Sequence, residues 1–379
     1  MPPRRKKQRS RLAQFSYALR YRVGEYAVRG FIAALPLIPY GLLLRFTNLL
    51  AWVAFGFLRT YRTRMEENLV AALGQEIRAP NERKALVWRA WKNFARGVLD
   101  TTAVMHFSRE EILATVAVEG EKHLDDTTAV MHFSREEILA TVAVEGEKHL
   151  ERALGKGRGV LALSAHLGSF TMIGARLAAG GYPFSVVVKH PKDRRFAQLI
   201  DEYRAQIGIH TISAKPRREA VRGILKALRE NRIVMMIADE FKSGDVMVDF
   251  LGLRAPAPRG PATLALRTGA VTLPMFATRQ ADDSVVLTIG EAIEPVQLPD
   301  LEASVTATTA LYTACLEAAV RRYPDQWNWL GLPREDRISR HELWRRIRAQ
   351  RGGGKRRHRA TTQAKSPGES PADHNKEVF

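Results

Sequence analysis

In this chain of 379 residues, His166 is the side chain whose type and setting most directly permit chemistry. It stands in Ser164-Ala165-His166-Leu167-Gly168-Ser169-Phe170-Thr171, after the apolar run VLALS at 160–164 and before an amphipathic stretch. Such a run reads as a buried strand, so His166 falls at a strand-to-helix turn, beside a helix N-terminus whose N–H groups can hold an anion. A neutral imidazole there can take a proton from a hydroxyl nucleophile. The same position also suits a structural histidine that caps the turn. A second polar pair, Asp239-Glu240, follows IVMMIA at 233–238 and occupies the equivalent place at the end of another strand. Either carboxylate could orient His166 or a substrate cation, or the pair could open an ordinary solvated loop.

The elements that must position these residues alternate along the chain. VAVEGEKHL reads as a short strand leading into a helix, and VLALS is followed by a helix from about 169. FSVVV at 184–188, a helix near 193–207, IVMMIA, a helix near 260–268, AVTLPMFA at 270–277 and VVLTI at 285–289 continue the pattern. This is an α/β arrangement with a mostly parallel or mixed central sheet flanked by helices, in which ligands bind beyond the carboxyl ends of the strands. The helix opened by Gly260-Pro261 adds a second candidate anion site, with Arg259 before it and Arg267 within it.

Charge separates the body from its ends. The net charge is +19, of which +8 lies in residues 1–30 and +7 in 345–379, leaving a nearly neutral body. Basic ends of this kind attract anionic lipid or an acidic protein. A nucleic-acid-binding protein is the rival reading, suggested by KRRHR in the tail, but no reading helix, aromatic RNA-binding motif or zinc spacing accompanies it. The tail at 341–379 is low in apolar residues and expected to be disordered. A single cysteine, Cys315, excludes an internal disulfide and multi-cysteine zinc sites. It lies in an Ala-rich helical run and reads as a small hydrophobe rather than a nucleophile. No histidine and cysteine cluster has metal-ligand spacing.

Residues 30–58 form the one long apolar stretch, cut by Arg45 into charge-free runs of 15 and 13 residues. Neither reaches the ~18 residues of an unambiguous span. With the basic leader 1–29 before it, the stretch reads as membrane-seated, either one imperfect span with Arg45 snorkelling or a helix pair in one leaflet. A buried core helix pair is the other possibility.

Residues 100–124 recur letter for letter at 126–150, a period of 26. True repeat architectures drift and need about three units to bury a core. Two perfect copies therefore read as a recent duplication or an error of sequence assembly, with the second copy of VAVEGEKHL in the native position because it runs directly into ERALGKGRGV.

The runs RGVLALSAHLGSF, DEF, FLG with RGPATLALRTGAVTLPMFATR, and YPDQWNWL stand in an order that resembles the lipid A biosynthesis acyltransferase family of bacterial inner-membrane enzymes. The resemblance covers about 30–335. It implies a glycerolipid-acyltransferase-like fold at 59–340 and transfer of a fatty acyl chain to a hydroxyl of a glycolipid. The donor would be an acyl carrier protein or acyl-CoA thioester, a co-substrate rather than a cofactor. The implied partners are acyl carrier protein, anionic lipid and a glycolipid acceptor, with no nucleic acid and no metal, at the cytoplasmic face of the inner membrane. His166 takes the general-base position of a His-x4-Asp/Glu motif, while Gly168, Lys189, Arg259, Gly260 and Arg267 fall at candidate substrate-binding positions. The motif's acidic position holds Thr171, which cannot carry the charge that supports an imidazolium. Three readings follow: Asp239 or Glu240 supplies the carboxylate, His166 works with weaker support, or the chain is an inactive relative. His106-x4-Glu111 and His132-x4-Glu137 match the motif formally, but they lie inside the duplicated HFSREE, which reads as a helix cap and first turn.

Overall fold

The computed structural model describes residues 40–104, 139, 142–191, 194–241 and 244–332. Three helices come first, α1 (Tyr40–Phe57), α2 (Arg59–Leu73) and α3 (Pro80–Val104). The body continues with β1 (Val142–Glu145), α4 (Glu147–Leu154), β2 (Val160–Ser164), α5 (Thr171–Ala179), β3 (Phe184–Val188), α6 (Arg194–Gln206) and β4 (His210–Ser213). It is completed by α7 (Arg217–Arg229), β5 (Ile233–Ile237), β6 (Val246–Phe250), β7 (Leu253–Ala257), α8 (Gly260–Thr268), β8 (Val271–Arg279), β9 (Val285–Ile289) and α9 (Leu301–Arg322). The leader 1–29, both formal His-x4-Glu matches in the repeat and the tail 341–379 lie outside the described residues.

Seven strands form one sheet in the order β1-β9-β8-β2-β5-β3-β4. The run from β8 to β4 is parallel, whereas β9 is antiparallel to β8 and parallel to β1. The sheet is thus mixed and mostly parallel. Helices cover both faces of its centre, which is why β2 is apolar at four of its five buried positions rather than alternating with polar residues. Leu161 and Leu163 point to the layer that holds residues of α7, α8 and α9, while Val160 and Ala162 point to the layer of α4 and α5. β6 and β7 form a separate antiparallel hairpin, joined by Leu251 and Gly252, both at positive φ. Phe250 at its tip end stacks between Phe241 and Trp327, at 4.4 and 5.6 Å between ring centroids.

The apolar N-terminal stretch takes a definite form. Within the described residues α1 runs from Tyr40 through Arg45 to Phe57 without a break, so Arg45 lies inside one continuous helix. Among the described residues no helix is long and apolar enough to cross a membrane. One face of α1, with Leu43 and Ala51, is buried against α3. Phe55 meets Trp88 and Trp91 edge-on at 5.1 and 6.0 Å, and the Trp91 indole N–H donates to the Ala51 carbonyl at 2.9 Å. The remaining apolar surface faces outward, with Phe46, Leu49, Trp52 and Phe57 each more than half exposed.

The duplication is divided between two elements. α3 ends in the DTTAV of the first copy, whereas β1 and α4 use the VAVEGEKHL of the second. Cys315 lies in α9, where burial raises its thiol pKa and keeps the sulfur protonated.

Candidate active site

The parallel register between β2 and β5 pairs Ser164 with Ile237. Carried two residues past the ends of both strands, that register places His166 opposite Asp239. The contact follows: His166 Nδ1 lies 2.7 Å from Asp239 Oδ1, and the His166 backbone N–H donates to Asp239 Oδ2 at 2.8 Å. The Trp327 indole N–H donates to the same Oδ2 at 2.9 Å. A carboxylate that is only 2% exposed thus has three donors around it, which is what a buried charge requires. It fixes the histidine through both ring and main chain. With Nδ1–H donated to Asp239, the neutral tautomer carries its lone pair on Nε2.

The turn after His166 is clamped from the other side by residues 326–328. Asn328 N–H donates to the His166 carbonyl at 3.1 Å, Leu167 bridges Trp327 in antiparallel fashion, and Gly168 N–H donates to the Gln326 carbonyl at 2.8 Å. Gly168 has φ +58°, and a Cβ there would sit 2.2 Å from the Ala277 carbonyl oxygen. Only glycine fits that approach. Trp327 and Trp329 are fully buried and meet edge-on at 5.0 Å. Removing about 200 Å² of aromatic surface from water stabilises the clamp by about 5 kcal/mol per tryptophan.

His166 stands at one end of a cleft of about 540 Å³. Phe184, Val186, Val188, Ile207, Ile209, Met235 and Ile237 line it with apolar surface, and Phe170, Thr171 and Gly174 supply the α5 side. Phe184 opens β3 and Ile209 immediately precedes β4, both at the amino edge of the sheet, while His166 stands at the carboxyl edge. The cleft therefore follows the full five-residue length of β3, roughly 15 Å. Lys189, Arg204 and Glu240 bring charge to the lining. Arg204 bonds Asp201 at 3.2 Å, and Asp201 also lies 2.6 Å from His190 Nε2. Burial pulls the Arg204 guanidinium below its usual pKa, and Asp201 opposes that.

The predicted positions divide clearly. His166, Asp239, Glu240, Lys189 and Thr171 come together, with Asp239 on the histidine and Glu240 exposed on the cleft wall. Gly168 does not line the cleft; its N–H is committed to Gln326, so its place is structural. Arg259, Gly260 and Arg267 do not line it either. Arg259 is turned to a surface pair with Glu302 at 2.7 Å, and Arg267 is exposed in the last turn of α8. A nine-residue helix rises about 13 Å, which carries Arg267 away from the carboxyl edge where His166 sits. The anion site expected at the start of α5 is largely occupied: the N–H groups of Gly168, Ser169, Met172 and Ile173 bond the carbonyls of Gln326, Ala277, Ser169 and Phe170. Among the described residues no three His, Cys, Asp or Glu side chains converge to hold a metal ion.

Residues whose part was not foreseen are Trp327, Gln326 and a buried set behind the turn. Ser169 Oγ donates to Asp100 Oδ2 at 2.5 Å, and Arg279 pairs with the same oxygen. The motif YPDQWNWL marked the segment of Trp327, but nothing local in it announces a bond to Asp239.

The bacterial lipid A biosynthesis acyltransferase family matches this chain over residues 12–130 and again over 126–332. The two matches overlap inside the repeated sequence, so one 26-residue period stands as an insertion against the family pattern. The phosphatidylinositol mannoside acyltransferase of Mycolicibacterium smegmatis is 29% identical over 180 residues, 47% of this chain and 57% of the relative. That of Mycobacterium tuberculosis is 32% identical over 126 residues, 33% of this chain and 40% of the relative. The aligned part thus spans about half the length of these relatives. The family match, in contrast, extends over most of the chain and takes in the β2 turn, Asp239 and the 326–328 clamp; the chain belongs to the bacterial lipid A biosynthesis acyltransferase family.

Proposed function

We propose that the protein transfers a fatty acyl chain from a thioester donor, acyl carrier protein or acyl-CoA, to a hydroxyl of a glycolipid at a membrane surface. The observation that carries this reading is the His166–Asp239 pair at the carboxyl-edge end of a long apolar cleft. The acyl chain lies along β3 and β5 between Phe184, Ile209 and Met235, with its thioester carbonyl beside His166. The Nε2 of His166 takes the proton of the acceptor hydroxyl as the oxygen attacks the carbonyl carbon. The carbon–sulfur bond then breaks, and the imidazolium returns its proton to the departing thiolate, so that the products are an ester and a free thiol. Asp239 keeps the imidazole in the right tautomer and supports its positive charge. Lys189 is the cation nearest in kind to the need of the developing oxyanion.

The acceptor class follows the family and the phosphatidylinositol mannoside acyltransferases to which the chain is similar. The outward apolar face of α1 supports seating of that end in the membrane. The basic leader, with Arg4, Arg5, Lys6 and Lys7, would hold that end against anionic lipid on the cytoplasmic face of the inner membrane. Basic ends would also steer acidic acyl carrier protein.

Membranes containing the protein or its His166→Ala variant, incubated with labelled acyl thioester and a lipid extract, test the reading. A new acylated lipid that depends on His166 is the expected result. Folded protein that makes no product across several acyl lengths and acceptors would overturn it and favour a lipid-binding relative that has lost turnover, the reading that Thr171 suggests.

A further inference from the structure

The acyl-transfer chemistry leaves one buried polar cluster without a task. Asp100 of α3, Ser169 of the turn and Arg279 at the end of β8 are 4%, 2% and 8% exposed, and none of them lines the cleft. Arg279 pairs with Asp100, and its Nη2 also reaches Ser169 Oγ at 3.3 Å, while Ser169 Oγ donates to Asp100 at 2.5 Å. The Gln326 side chain holds both the N–H and the carbonyl of Arg279, at 2.9 and 2.8 Å, and the Gln326 backbone carbonyl accepts from the Gly168 N–H. The cluster thus grips the turn at two consecutive residues, 168 and 169, immediately past His166. Outward it continues through Arg96, which pairs with Asp283 and donates to Asn48 of α1 at 3.2 Å.

A buried ion pair is a poor way to gain stability, because desolvation of both charges offsets their attraction and apolar residues of similar size often serve as well. What it supplies is geometry, since each charge must meet its partner's donors and acceptors. We propose that Asp100, Arg279 and Ser169 are positioning residues, which lock the turn so that the His166 ring meets the cleft and Asp239 at one fixed angle. This inference rests on the acyl-transfer reading for its catalytic consequence.

The test uses the full chain in lipid nanodiscs, with Ser169→Ala, Asp100→Asn and the double variant. Turnover should fall by about tenfold to a hundredfold with the donor KM held within about twofold, as misplacement of a catalytic group requires. The double variant should be no slower than the slower single one, because the three act as one unit. Independently of turnover, the pH midpoint for modification of His166 by diethyl pyrocarbonate, read by peptide mass spectrometry, should shift, while that of the distant His210 stays fixed. Folded variants with wild-type turnover and a wild-type His166 midpoint would overturn the proposal. Should Asp100→Asn fail to fold, Ser169→Ala, which keeps the ion pair, decides alone. Wild-type protein that forms no product would sink the acyl-transfer reading, while the His166 midpoint would still decide the positioning.

Discussion

Two strand-to-helix turns of this molecule look alike in sequence and differ in what they assemble. Each follows a strand, opens a nine-residue helix, and combines a glycine with a titratable or cationic side chain. The turn before α5 gathers remote partners: Asp239, 73 residues on, bonds His166, the Trp327 indole donates to Asp239 from 88 residues beyond it, and the Asn328 N–H donates to the His166 carbonyl. The turn before α8 has no such convergence. Arg259 leans 43 residues along to Glu302 on the surface, and Gly260 has open space where a Cβ would stand. A helix start with nearby charge is therefore common, and a site appears only where remote elements close over it. The depth of that closure decides what each side chain is worth.

The sharpest way to break the contrast is to make the same kind of change at both turns. Asp239→Asn keeps shape but removes the charge that supports His166, and should lower turnover by roughly 10³- to 10⁴-fold. Arg259→Gln should leave turnover within about twofold, since an exposed pair contributes little. Radiolabelled acyl transfer at saturating donor measures both, and comparable losses would erase the distinction. Glu240→Gln, at an exposed position on the cleft wall, belongs with the mild change and not with Asp239.

A smaller effect sharpens the comparison within the first turn. Trp327→Phe keeps an aromatic ring against Phe250 and Trp329 but removes the indole N–H from Asp239 Oδ2. Leaving a buried carboxylate one donor short costs about 1–3 kcal/mol, which should appear as a lower melting temperature and a turnover reduced by about tenfold. Unchanged turnover would mean that the two donors from residue 166 suffice to hold Asp239.

Much of this arrangement was legible in the chain itself. The mainly apolar five-residue runs at 160–164, 184–188 and 285–289 are strands at those residues; β2 is buried along its whole length, as a central strand covered on both faces must be, whereas β9 is buried at alternate positions. β4 escaped notice because HTIS, on the sheet edge, holds a single apolar residue in only four positions. The hairpin β6–β7 escaped because Pro256 and Gly252 resemble loop punctuation. At the site, His166 and Asp239 stood out as polar residues where apolar strands end. Their pairing depended on the register of β2 with β5, a long-range property that no local pattern contains. The same holds for Asp100 and Arg279, each an ordinary charged residue until the other is brought against it. Helix-start chemistry misled in the opposite direction, suggesting at α8 a site that local sequence alone could not close.

The mildest test lies at that second turn and uses pH. The bond from Arg259 holds the Glu302 carboxyl below its ordinary pKa, so the pair adds stability only while Glu302 is ionised. That contribution is present above the ordinary glutamate value of roughly 4.3 and is lost as pH falls through the lower value in the folded protein. Both partners face solvent, so salt should weaken the pair further. Glu302→Gln should therefore melt slightly below wild type at neutral pH and low salt, and the difference should vanish in acid or in concentrated salt. A large difference that persists under both conditions would show that this turn is closed by more than a surface pair, and would bring it back level with the turn at His166.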